Sequence, residues 1–196
     1  MIRVKRFLPH IALGLVLAQL LLVLGSWVLS AALPMSGIRS MLSGEGIRFF
    51  LGHFADLLAT PLLVWLLLLA MAYGVVLRSG ILSGARAFRS RRARLTALLF
   101  AVAYVAVVLM MAIAPHAVLL SASGTLWPSP FSASLVPLTA FGLAMAAAVY
   151  GIVAGTITSL TDIYESFVDG LRRAAALLPI CLLLVLICES LRFIIP

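Results

Sequence analysis

Charge is what this sequence has least of. Asp, Glu, Lys and Arg together make up 10% of its 196 residues, against 64% hydrophobic residues and a mean hydropathy of +1.24. A soluble domain carries roughly a quarter charged residues, so this composition cannot furnish a water-exposed surface. Cysteine is scarce as well. Cys181 and Cys188 lie in one apolar run, and on a helix that spacing separates them by about 10 Å along the axis, too far for a mutual disulfide. They read as small buried hydrophobes. His10, His53 and His116 are isolated from each other and from the thiols, so no metal-ligand cluster is indicated. The short polar segments supply no Ser/His/Asp or Cys/His set and no phosphate-binding loop. No catalytic residue, metal or cofactor is expected, and the chain does not read as an enzyme.

What charge there is falls in a pattern. Eleven of the fourteen basic residues sit in three places, Arg3–Arg6, Arg78–Arg94 and Arg172–Arg173. They cap hydrophobic runs instead of interleaving with aromatics on an exposed patch. This argues against a nucleic-acid partner and for a chain oriented in a lipid bilayer, where Lys and Arg collect on the cytoplasmic side and meet anionic headgroups. The sequence therefore predicts an all-α polytopic membrane protein, one membrane domain over residues 1–196, with about five transmembrane helices.

The first span is predicted over residues 11–33. A signal peptide shares its basic start and a small-residue exit such as Ser30-Ala31-Ala32, but has an apolar region of only about 7–15 residues. A longer run reads as a retained anchor that crosses a core of about 30 Å. Residues 44–56 are too polar to span. Ile47, Phe50, Leu51 and Phe54 fall on one helical face there, with Glu45, Arg48, Gly52 and Asp56 opposite. This segment reads as an amphipathic or re-entrant helix, capped by Ser43.

Further spans are predicted over residues 57–77, 95–114, 135–157 and 174–195. Pro61 and Pro137 are read as first-turn prolines, Pro115 as a stop and Pro179 as an early break. The connection 78–94 holds six arginines, among them Arg86, Arg89, Arg91, Arg92 and Arg94, and no acid. It reads as a cytoplasmic loop that fixes topology and meets lipid. Residues 115–134 carry Trp127-Pro128-Ser129-Pro130-Phe131 and read as an ordered turn or re-entrant loop. Placing the basic clusters inside gives a cytoplasmic N-terminus and an external C-terminus.

Few residues inside the apolar runs carry chemistry. Gly151-x-x-x-Gly155, preceded by Ala144 and Ala146–Ala148, gives the fourth span a small face suited to close helix crossing. Glu189 is an acid inside an apolar run, either on a transport pathway or paired with Arg192 three residues on. Asp162, Glu165 and Asp169 recur at three and four. They read as a solvated helix face that compensates Arg172 and Arg173.

Two stretches resemble the aminobenzoyl-glutamate transporter (AbgT) family. Leu42-Ser43-Gly44-Glu45-Gly46-Ile47-Arg48, with Gly74-Val75-Val76-Leu77-Arg78-Ser79-Gly80-Ile81-Leu82, is similar to that family's S-x-E-G-[LI]-R segment and later G-x-G-x-A-x-x-S-G-L exit from a span. Ser129-Pro130-Phe131, Val136-Pro137 and Tyr150-Gly151-Ile152-Val153-Ala154-Gly155-Thr156-Ile157, followed by Asp162, resemble its S-P-F, I-V-P, Y-G-I-G-A-G-T-I and D-V order. The resemblance implies a shortened member in a bacterial inner membrane. It implies ion-coupled movement of a small aromatic acid or amide, with Pro61, Pro130, Gly151, Gly155 and Asp162 on the substrate or ion path. Glu189 joins them on physical grounds alone.

The departures define the alternatives. Where the family carries an Asn-Phe-x-x-Phe-x-Pro-Leu-Gly hairpin tip, this chain reads Leu57-Leu58-Ala59-Thr60-Pro61-Leu62-Leu63, and a Ser-Asn-x-x-x-Asp-Ala stretch is absent. Five spans form a substrate path by pairing as a homodimer, with the small-faced fourth span at the interface. Alternatively, the chain is a non-transporting scaffold or regulatory partner that keeps the packing motifs. A third reading is a membrane-surface module whose basic loop binds anionic lipid or an acidic partner.

Overall fold

The computed structural model describes residues 2–33, 37–52, 54, 56, 59–83, 88–113 and 130–195. Among these there are seven α-helices and no strand: α1 Ile2–Ala32, α2 Gly44–Gly52, α3 Pro61–Ser79, α4 Phe88–Ile113, α5 Pro130–Ala154, α6 Leu160–Ala174 and α7 Leu178–Ile194. A short 3-10 turn, Ile81–Ser83, follows α3. Four segments are long and apolar enough to cross a bilayer: Phe7–Ala32, Pro61–Ser79, Ser90–Ala112 and Ser134–Ala154. The α6 and α7 pair adds a fifth if it is taken as one broken segment. The chain is an all-α, multi-pass membrane protein.

Several expected boundaries move for local reasons. The helix of the second span begins at Pro61, since proline suits the first helical turn, where its missing N–H is not needed; residues 57 and 58, the expected start of the span, lie outside the described residues. The helix runs on to Ser79 and ends at Gly80, whose φ of 76° is a left-handed conformation open to glycine. Arg78 is therefore helical. So are Arg89, Arg91, Arg92 and Arg94, because α4 begins at Phe88; arginine is a good helix former, and no Pro or Gly interrupts residues 88–94. The basic connection is thus mostly helix, and Arg86 lies outside the described residues. Pro137 sits within α5, whose first residue is Pro130. The expected turn or re-entrant loop at 115–134 falls outside the described residues up to position 129. The span expected over 174–195 is interrupted by a turn at 175–177, and Pro179 occupies the first turn of α7.

The chain divides into two compact units. The first comprises residues 1–64 and 175–196. Within it α1 packs on α7, and Gln19 Nε2 donates to Ser190 Oγ across them at 2.8 Å. The backbone N–H of Met41 donates to Ser26 Oγ (3.1 Å), and the Phe49 ring stacks on Phe193 at 4.5 Å. Ser43 caps α2 as expected, its Oγ accepting from the Gly46 N–H at 3.1 Å.

The second unit comprises residues 65–174. Here α4 lies along α5, and Ala93, Ala97 and Tyr150 form one buried cluster. Ser90 and Tyr150 hydrogen-bond through their hydroxyls at 3.3 Å. A second cluster gathers Val75, Val76, Ala147 and Ile157, with Ile163 and Phe167 packed against it. Elsewhere on α4, Leu99 and Met110 are more than 70% exposed. Such large apolar side chains facing outward along a helix suit hydrocarbon as solvent.

An arginine–carboxylate node at a glycine crossing

Two helices in the second unit approach without intervening side chains. Ala70 and Gly74 on α3 are four residues apart, as are Ser166 and Gly170 on α6, so each helix presents a small-x-x-x-small face. A Cβ added at Gly74 would collide with the Ser166 carbonyl, and one at Gly170 would collide with the Ala70 carbonyl. Ser166 is fully buried, and its Oγ donates back to the Asp162 carbonyl at 2.6 Å. The crossing is backbone on backbone.

One turn beyond Gly74, Arg78 reaches α6. Its Nη2 donates to Asp162 Oδ1 at 2.8 Å and to Glu165 Oε2 at 3.2 Å, while Nη1 stands 3.9 Å from Asp169 Oδ2. The three carboxylates lie on one side of α6 because they recur at three and four. Asp169 also contacts Arg172 at 3.5 Å. Arg78 is thus the partner of Asp162 and Glu165, while Asp169 has the expected local partner in Arg172 and stands farther from Arg78.

Asp162 is held at both oxygens. Oδ2 accepts from the N–H and Oγ1 of Thr158, both at 3.0 Å, and from the N–H and Oγ of Ser159, both at 3.1 Å. The Asp162 N–H donates in return to Ser159 Oγ at 3.1 Å. Ser159-Leu160-Thr161-Asp162 is therefore a reciprocal capping box that starts α6. The Thr158 donors, with Arg78 and Ser159, hold the Asp162 carboxyl far below the usual carboxylate range. These donors at both oxygens favour the ionised form of Asp162.

Gly151 and Gly155 end α5. The N–H groups of Thr156 and Ile157 both donate to the Gly151 carbonyl, at 2.9 and 3.2 Å, and Gly155 has a φ of 79°. This is a glycine-terminated helix stop, with the Ile157 side chain folded over Gly151 where a Cβ would otherwise sit. Thr156 Oγ1 then donates to the Ser79 carbonyl at 2.8 Å, tying the end of α5 to the end of α3. Within the described residues, a backbone-on-backbone helix crossing occurs at Gly74 and Gly170.

Pro61 and Pro130 are the first residues of α3 and α5. Glu189 belongs to the first unit and accepts from Arg192 Nη1 at 2.8 Å, the paired arrangement. Arg91 and Arg94 are exposed on the first turns of α4. Arg78, Gly74 and Gly170 carry the geometry, although none of them is among the site residues the sequence suggests. Their signal was present in Ala70-x-x-x-Gly74 and Ser166-x-x-x-Gly170.

Two grooves open on the second unit. One, of about 290 Å³, is lined by Leu68, Ala72, Phe141, Ala144 and Phe167 among others, with no ionisable side chain. The other, of about 330 Å³, lies between α4 and α5, where Tyr104 and Thr139 are its polar lining residues. Tyr104 spends its hydroxyl on the Leu138 carbonyl at 2.9 Å.

Apolar helices long enough to span, arginines at their polar ends and a small-residue crossing define a helical, multi-pass integral membrane protein. Residues 86–189, just over half the chain, match the AbgT putative transporter family, and the chain belongs to that family. No curated protein matches, and no solved structure does either.

Proposed function

We propose that this chain is a transporter subunit that moves a small aromatic acid or amide across the bacterial inner membrane, coupled to an ion gradient. The observation that carries the reading is the family match over residues 86–189. The N-terminus and the arginine-bearing ends of α3 and α4 face the cytoplasm, in line with the positive-inside rule. The apolar grooves favour a path completed by a second copy of the chain over one inside residues 65–174. The Arg78–Asp162 node holds one end of that path together. With its charge committed to Arg78, Thr158 and Ser159, Asp162 is a positioning residue and not the proton carrier.

The test is uptake of aminobenzoyl-glutamate into proteoliposomes holding the full chain, with proton and sodium gradients imposed in turn. Gradient-dependent accumulation is expected. Its absence under both gradients, with the same protein confirmed as folded and inserted, removes this reading.

A second reading rests on those same apolar grooves and on the missing Asn/Asp stretch. It is a non-transporting scaffold or regulatory partner of the same fold. Stable co-purification of a different membrane protein, together with no flux, supports it.

A further inference from the structure

We infer that the groove between α4 and α5 holds an acyl chain of an anionic phospholipid, with the headgroup on Arg91 and Arg94. The argument is independent of transport. On α4, Ala101, Val105 and Val108 line the groove, and Arg94 precedes them on the same face through Leu98, at successive spacings of four, three, four and three. Arg91 lies three residues before Arg94, and both side chains are exposed. Leu98 between them and the groove is 62% exposed. An apolar track thus leads from the two guanidinium groups into the groove.

The lengths agree. At the helical rise, Ala101 lies about 10 Å and Val108 about 21 Å below Arg94. One leaflet of hydrocarbon is about 15 Å deep. A lipid with its phosphate at Arg94 therefore ends its chain inside the groove. The groove floor is built for an apolar guest: Gly142 leaves room for the Tyr104 ring, and the ring's hydroxyl is already bound to the Leu138 carbonyl.

Charge selects the headgroup. The sequence has no Asp or Glu between Asp56 and Asp162. The carboxylates of α6 are engaged by Arg78 and Arg172. Arg91 and Arg94 thus present positive charge at the membrane boundary, and guanidinium groups recognise phosphate with paired N–H donors. A phospholipid with net negative charge fits this better than a zwitterionic one.

Native mass spectrometry of the full chain in mild detergent, titrated with phosphatidylglycerol or phosphatidylcholine of identical acyl chains, tests the site. Wild type should retain phosphatidylglycerol at least about five-fold more strongly, the factor that a single basic contact supplies. Arg91→Gln with Arg94→Gln should erase that preference, and Arg91→Lys with Arg94→Lys should keep most of it. Ala101→Phe or Val105→Trp should lower retention of both lipids by filling the groove. Equal retention of the two lipids by wild type overturns the proposal. So does a preference that survives the glutamine pair, or retention untouched by both groove-filling changes.

Discussion

Gly74 and Gly170 face each other across α3 and α6 with no side chain between them, one turn from the Arg78–Asp162 ion pair. Packing of this kind holds helices together where lipid and side chain are equally apolar, because close backbones gain dispersion contact. The adjacent charges then lock register. α6 has a strongly amphipathic sequence, and its crossing with α3 gives its small face a partner in the same unit.

Replacing either glycine should break the crossing. Gly74→Leu or Gly170→Leu places a side chain where backbone carbonyls already stand, at a cost of about 3 kcal/mol or more. Thermal unfolding in detergent should show a clear loss for each, and Gly52→Ala, where nothing lies within 4 Å, should stay near wild type. Unchanged melting for both leucine variants would show the helices do not meet there.

Asp162 predicts a pH dependence with a definite sign. Its folded carboxyl is held below the unfolded value by Thr158, Arg78 and Ser159. The stability it contributes is therefore complete above about pH 4, the unfolded value, and is lost as pH falls toward the depressed folded value. Melting temperatures of wild type and Asp162→Asn should differ by a constant amount from pH 8 to 5 and converge below about pH 4. A gap that closes between pH 8 and 6 contradicts the assignment.

Ser43→Ala removes the acceptor for the Gly46 N–H at the start of α2. A loss of about 1 kcal/mol is expected, with Ser43→Asp near neutral because aspartate caps equally well. Hydrogen exchange confined to residues 44–48 is the sensitive readout.

Glu189→Gln should be mild. Its partner Arg192 is 77% exposed, and exposed pairs contribute less than about 1 kcal/mol. Loss of gradient-driven uptake with stability intact would instead place Glu189 on the ion path, which the Arg192 pairing argues against.

Much of the architecture was legible because the bilayer imposes simple rules. Apolar length and arginine position marked the four long helices, Ser43 marked the start of α2, and Pro61 and Pro179 sit in first helical turns as their chemistry demands. The motif order around Ser129-Pro130-Phe131 and Tyr150–Ile157 carried the family. The node was not legible, because it joins positions 84 residues apart in sequence, and helical spacing predicts only local partners. Asp162, Glu165 and Asp169 were seen as one face, but nothing local pointed that face at Arg78. A G-x-x-x-G spacing near a helix end serves termination as well as packing, and the described contacts of Gly151 and Gly155 are those of a helix stop. The left-handed φ of Gly155 is the mark of that stop.

The central claim is a chain threaded through lipid by arginine-bearing helix ends, with its termini on opposite faces. Paired reporter fusions test it most directly, one inserted between Ala85 and Arg86 and one after Pro196, each made with a cytosolic fluorophore and with a periplasmic phosphatase. The account predicts fluorescence at the first site and phosphatase activity at the second. Both sites reporting from the same side, or the fusion protein recovered in solution without detergent, would contradict it.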